Sequence, residues 1–174
     1  SLLTLKDGIT VEGGYYYNFL VLGWSQDPEN NPSILDGDNL VNHVVAGAGK
    51  PESVDASLMT ILDGFTIQGG NAGVSGSDNS GGGILMRDAS TVINDCTIRS
   101  NTARDSGGAL YITGESAPEI GNCAFMGNRA YSHGGALFID EDALAAVADC
   151  SFNDNLAADD GVTTTENLGG AICV

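Results

Sequence analysis

Residues 121–139 read GNCAFMGNRAYSHGGALFI, with Cys123, Phe125 and Asn128 in close succession and a double glycine ahead of a short apolar run. Taken alone, the stretch looks like a concentrated site. Beside its neighbours it is one copy of a repeat. Cys96, Cys123 and Cys150 are 27 residues apart, as are Asn101, Asn128 and Asn155, and as are Ile98, Phe125 and Phe152. The double glycines Gly107-Gly108 and Gly134-Gly135 keep the same step, and Gly169-Gly170 follows 35 residues later. About eight extra residues therefore sit near ADDGVTTTENL, placing a loop insertion at 156–168, between elements where loops are tolerated.

A weaker marker extends the pattern backwards, an acidic or amide residue followed by a small one: Asp7-Gly8, Asp36-Gly37, Asp63-Gly64, Asp95-Cys96, Asn122-Cys123 and Asp149-Cys150. KDGITVEGG (6–14) and LDGFTIQGG (62–70) read as near copies two steps apart. On this register about six copies fill residues 1–174 as a single domain.

Within a copy, runs such as APEIGN, CAFMGN and GGALYI alternate with period two and are separated by Gly, Asn, Asp and Ser, which is a strand-and-turn signature. No segment keeps apolar residues at helical spacing over ten residues. DEDALAAVADCSF comes nearest, yet it shares the register of strand columns elsewhere. Strands at a period of ~25 to 30 residues with no helical half predict an all-β, single-stranded parallel β-helix, each copy forming one coil. The leucine and asparagine framework of leucine-rich repeats is missing.

Stacking turns each column into a physical object. Alternation sends Ile93/Ile120/Val147, Cys96/Cys123/Cys150 and Ile98/Phe125/Phe152 inward. Three thiols in one column, with parallel Cβ vectors, act as small apolar residues rather than disulfides. Zinc-type CxxC pairs are absent. Asn101/Asn128/Asn155 form a turn ladder whose amides bond along the rod and tolerate left-handed backbone. The Asp/Asn column is a second turn device, open to weak calcium binding although no calcium-loop spacing supports it; no other cofactor is implied.

Inward Leu110, Leu137, Ile112 and Ile139 leave Leu85, Tyr111 and Phe138 facing out, an apolar stripe suited to packing under a loop or to receiving a ligand. A second outward column, Thr10/Thr66/Thr97/Ala124/Ser151, is small and flat, without the paired threonine ranks of an ice-binding face. The aromatic segment 15–32, YYYNFLVLGWSQDPENNP, does not fit a plain coil; with the only tryptophan, Trp24, it reads as a side loop or cap that could border a ligand groove.

A formal charge of −17, from 23 acidic and 6 basic residues, argues against nucleic acid and anionic membrane partners. It suits an extracellular or cell-surface protein. No apolar run approaches the ~20 residues of a membrane span, and SLLTL lacks the charged start of a signal peptide. Both ends, the second inside GGAICV, read as cut from a longer chain.

GGAL (107–110 and 134–137), GGAI (169–172), FMGN (125–128) and FNDN (152–155) resemble the GGA[ILV] and FxxN repeats of polymorphic outer membrane proteins. The N-terminal half, with DPENNPSILDGDN and LDGFTIQGGNA, is similar to secreted right-handed β-helix proteins of the pectin-lyase-like class. GGGI (81–84) and IRSN (98–101) depart from the motifs at Gly83 and Ile98. The resemblance implies a right-handed coil and a secreted or surface-exposed region, often adhesive and sometimes enzymatic.

No catalytic constellation is evident. Arg87, Arg99, Arg104 and Arg129 fall in different columns, Asp140-Glu141-Asp142 is a charged turn, and His43 and His133 stand without an evident serine or cysteine partner. The expected function is a non-catalytic stalk, adhesin or interaction surface, its ligand residues Leu85, Tyr111, Phe138 and Trp24. Its partners would be glycans or proteins of a host or neighbouring cell, or other copies through the coil ends. The alternative is a carbohydrate-active β-helix enzyme, a lyase or hydrolase, or a carbohydrate-binding module.

Overall fold

The structure is a computed structural model describing residues 1–6, 9–18, 23–48, 60–73, 78–158 and 169–174. An irregular first turn carries β1 (Leu3–Leu5), β2 (Thr10–Glu12), the hairpin strands β3 (Tyr15–Asn18) and β4 (Gly23–Gln26), and β5 (Ser33–Val41). The second turn carries β6 (Val45–Ala48), β7 (Thr60–Asp63) and β8 (Phe65–Ala72). Three turns of near-identical build follow. They comprise β9 (Ile84–Arg87), β10 (Thr91–Asn94), β11 (Thr97–Arg99) and β12 (Thr102–Ala103); β13 (Leu110–Thr113), β14 (Glu119–Gly121), β15 (Ala124–Met126) and β16 (Arg129–Ala130); and β17 (Leu137–Ile139), β18 (Ala146–Ala148), β19 (Ser151–Asn153) and β20 (Leu156–Ala157). A single strand, β21 (Ile172–Cys173), begins another.

Every strand outside the β3–β4 hairpin pairs in parallel with its counterpart one turn away. The strands stack into three sheets: β1-β6-β9-β13-β17-β21, then β2-β7-β10-β14-β18, then an eight-stranded sheet built on β5, β8, β11, β15 and β19 with β12, β16 and β20 beyond a bend. The parallel β-solenoid expected from the repeat is therefore present. Its regular turns number about four, fewer than the six expected, because the first turn is distorted and the last is a lone strand.

Stacked identical columns fill the centre. Ile67, Ile98 and Phe125 lie in one register and are fully buried, and Phe125 stacks on Phe152 at 4.8 Å between ring centroids and 3° between planes. Leu62, Ile93 and Ile120 form the matching column of the second sheet, ending at Val147, which is 37% exposed because no described strand lies beyond it. DEDALAAVADCSF holds β18 and β19, with a turn at 141–142.

Three left-handed corners recur through the regular turns, and two of these turns have a fourth at Asp88 and Gly114. Gly64, Asp95, Asn122 and Asp149 share one, Gly69, Ser100, Gly127 and Asp154 a second, and Gly81, Gly107, Gly134 and Gly169 a third, all at φ between 48° and 74°. Left-handed backbone favours glycine and tolerates Asn and Asp. Two sequence expectations fail here. In the ladder motif the left-handed residue is the one before each asparagine. The Asp-Gly marker also slips: Asp63 pairs with Asn94, so it is Gly64 that matches Asp95, while Asp36 pairs with Gln68 at a different corner. KDGITVEGG and LDGFTIQGG are accordingly not equivalent, since Thr10, Val11 and Glu12 pair with Ile61, Leu62 and Asp63. Thr10 thereby leaves the Thr66 column. Asp7 and Gly8, and most of the insertion at 156–168, lie outside the described residues.

Candidate functional site

The asparagine column is a continuous buried ladder. Asn128 Oδ1 accepts from the Asn101 backbone N–H and Nδ2, both at 3.1 Å, while its own Nδ2 donates to Ile98 O and to Asn155 Oδ1, both at 2.9 Å. Gly70 takes the asparagine's place one turn earlier, donating its N–H to Asn101 Oδ1 at 2.9 Å. All of the amide's donors and acceptors are used within the rod, so the ladder is structural chemistry.

The cysteines are free thiols. Each of the three stacked ones reaches a carbonyl of the preceding turn: Cys96 Sγ to Leu62 O and Cys123 Sγ to Ile93 O at 3.6 Å, and Cys150 Sγ to Ile120 O at 3.7 Å. Contact with the Cys96 thiol, together with burial, holds the Cys123 thiol far above the usual thiol range, which suppresses the nucleophilic thiolate. Among the described residues no group of three or more His, Cys, Asp or Glu is disposed to hold a metal ion.

Leu85, Tyr111 and Phe138 do share one column of the first sheet. It is less open than alternation suggested: Leu85 is only 6% exposed, and Tyr111 and Phe138 are half-buried, stacked at 5.4 Å with 16° between their planes. A small pocket of about 150 Å³, lined by Asp78, Asn79, Ser80, Arg87 and Asp105, adjoins Leu85 and Tyr111. Tyr111 Oη donates to Asp140 Oδ2 at 2.9 Å, and Thr113 Oγ1 to the same oxygen at 3.0 Å. Asp140 is thus tied to the rod rather than freely solvated. The Glu141 N–H, with these two hydroxyls, holds its carboxyl below the ordinary range. Arg87 is likewise engaged, 3.2 Å from Asp78.

His133 has the serine neighbour that linear reading missed: Ser106, 27 residues earlier, sits 3.5 Å from His133 Nδ1 and 3.3 Å from Asp105 Oδ1. The acid contacts the serine instead of orienting the imidazole, and Ser106 is buried, so the trio lacks triad geometry and an accessible nucleophile. His43 is buried, with its Nδ1 2.8 Å from Gly81 O.

A larger concavity lies elsewhere, along the flat column. Thr66, Thr97 and Ala124 stand in register as its floor, with Phe65 and Cys96 beside them. Asp95 and Asn122 also line it, together with Gln26 at the end of β4 and Asp27, Pro28 and Glu29 just after it; the groove encloses about 560 Å³. Small side chains at successive turns leave the floor level. The hairpin supplies a wall because its turn is pinned: Asp27 N–H donates to Gly14 O at 2.7 Å, Gln26 Nε2 to Gly13 O at 3.0 Å, and Gly14 N–H to Ser33 Oγ at 3.0 Å. Asp27 Oδ1 in turn accepts the Asn30 N–H at 3.1 Å, closing the QDPEN turn.

Trp24 projects from this hairpin at 71% exposure, opposite Tyr17 on the neighbouring strand. Trp24 belongs to the two-stranded hairpin, whereas Leu85, Tyr111 and Phe138 belong to the six-stranded sheet. Gln26, Asp27, Glu29, Asp95 and Asn122 were missed as a group. The signals were available separately, as a Pro-rich turn just after the tryptophan and as a flat threonine column.

Residues 62–172 match the family described as a right-handed β-helix region, well over half of the chain. No curated protein and no solved structure matches the chain significantly.

Proposed function

The chain belongs to the right-handed β-helix family, and from that premise we propose that it is a non-catalytic module presenting an interaction surface outside the cell or at its surface. The groove between the hairpin turn and the Thr66/Thr97/Ala124 floor carries the proposal. It is open, polar and elongated along the rod, with its wall fixed by backbone hydrogen bonds, which are properties of a docking surface. Nothing in it pairs an accessible nucleophile with a base. The ladders and apolar columns act as the scaffold, and the stalk or adhesive role follows from displaying that groove on a stiff rod. The excess of 17 negative charges supports an aqueous, extracellular setting.

A glycan-array and protein-capture screen of the chain, run beside lyase and hydrolase assays on acidic and neutral polysaccharides, tests the reading. Binding without turnover is expected. Turnover of any polymer that survives purification and is lost on mutating the chain's own carboxylates would overturn it in favour of a carbohydrate-active enzyme.

A further inference from the structure

Resting on the groove's role as an interaction surface, we infer that its ligand is a basic peptide segment bound in extended conformation along the groove, its lysine or arginine side chains meeting the carboxylates of the lining. The lining contains three carboxylates, Asp27, Glu29 and Asp95, and no lysine or arginine. Polyuronates and sulfated glycans would therefore meet repulsion in a concave site, where charge acts more strongly than in open solvent.

The carboxylates come from two separate parts of the chain. Asp27 and Glu29 follow β4, while Asp95 stands at the left-handed corner ahead of β11. Successive side chains of an extended peptide follow at ~3.3 Å intervals along the chain, so a basic segment brings cations to the lining carboxylates at more than one point. Thr66, Thr97, Gln26 and Asn122 supply hydroxyls and amides for the peptide backbone between them.

The surroundings add negative charge. Glu12 and Asp63 pair across adjacent strands beside this corner, and Asp63 Oδ1 is buried with no hydrogen-bond partner. Burial, the neighbouring Asp95 carboxylate and the more distant Glu12 carboxylate push the Asp63 carboxyl above its usual range. A cation in the groove relieves that repulsion. Asp95 itself already accepts from Asn94 Nδ2 at 2.7 Å, which fixes its carboxylate in place.

Labelled hexalysine, titrated into the intact chain at low and at physiological salt with anisotropy as the readout, is the direct probe. Glu29→Gln combined with Asp95→Asn, the latter keeping a residue that tolerates left-handed backbone, is expected to weaken binding about tenfold. The remote pair Glu141→Gln and Asp142→Asn, exposed on another turn, is expected to change it by less than about twofold. Circular dichroism checks that both variants fold. Equal losses in the two variants would mean attraction to bulk charge only, and absence of binding by the unmutated chain would overturn the inference outright. Tighter binding of a chitosan oligomer, lost in the groove variant, would replace the peptide by an amino-sugar polymer. Binding of a neutral or anionic glycan in the same groove would sink the cationic ligand and leave the interaction-surface reading standing.

Discussion

The two halves of the rod solve one problem in different ways. From Gly81 to Ala158 each turn repeats the chemistry of the last at steps of 26 or 27 residues, so a side chain's neighbour above and below is nearly its copy. From Leu3 to Ala72 the same three sheets continue, yet β5 pairs with β8 through a register shift between Asp36 and Val41, and a hairpin interrupts the first turn. The ladder position shows the exchange most clearly. Asn101 and Asn128 fill it in the regular half, whereas Gly70 fills it in the second turn, where an added Cβ would collide with the Gly82 carbonyl. Identical stacking yields a rod, and departures from it build the groove wall.

Breaking the regular half at its densest column should have the largest effect. Phe125 is fully buried against Phe152, and Phe125→Asp places an unpaired carboxylate there. A loss of at least about 4 kcal/mol is expected, enough to leave no cooperative unfolding transition. A folded, soluble variant by circular dichroism would show that the column does not face inward.

The ladder comes next. Asn128→Ala removes an acceptor from Asn101 and a donor to Ile98 and Asn155, stranding buried groups on two turns. About 3 kcal/mol is expected from chemical denaturation, with an unchanged denaturant slope. Asn155→Ala, in the half-exposed final turn, should cost about 1 kcal/mol because solvent can replace its partners. Equal costs at the two positions would dissolve the distinction between interior and terminal turns.

Tyr111→Ser tests the outer face. Alternation alone made this residue a tolerant surface position. Its stacking on Phe138 and its hydrogen bond to Asp140 instead predict a loss of about 1 to 2 kcal/mol. A thermal shift near zero would restore the open stripe.

How much of this was legible follows from what a periodic sequence encodes. Columns repeated three times at one spacing, such as Ile98/Phe125/Phe152, declare both register and face, because only stacking gives one chemistry the same neighbours each time. Asp-Gly carried no such information. Left-handed positions occur three or four times per regular turn, and Asp and Gly both serve at the Gly64 and Gly69 corners, so Asp36-Gly37 and Asp63-Gly64 looked equivalent while standing at different corners. Alternation also reported which way Leu85 points without reporting what covers it. The groove was hidden for a related reason. Glu29 and Thr97 face one cavity across a long sequence separation, and the hairpin that brings them together belongs to no repeat.

The smallest effect, and the one that separates the halves by condition rather than by mutation, is set by His43. Burial holds its imidazole below the ordinary 6.5, ahead of the smaller opposing influences of the Gly81 carbonyl and Asp78, with the N-terminal ammonium and Arg87 acting in the same direction as burial. A folded-state pKa below the unfolded one means that the unfolded chain takes up the proton first. Stability is therefore level above pH 6.5 and declines as pH falls from there through the folded pKa. Asp36 and Asp140, both held low, lose their contributions only as pH falls below about 3.8, outside this window. Asp63, held high, changes in the opposite sense, its unfavourable ionisation relaxing on acidification. His43→Gln removes the one titration and isolates its share. The backbone N–H groups of Leu2 and Leu3 bond to Val44 O, next to His43, so hydrogen exchange at β1 should quicken between pH 7.5 and 5.0 while β13 to β16 stay protected. Loss of that pH response in His43→Gln assigns it to this imidazole; its persistence would place the acid-sensitive group elsewhere in the irregular half.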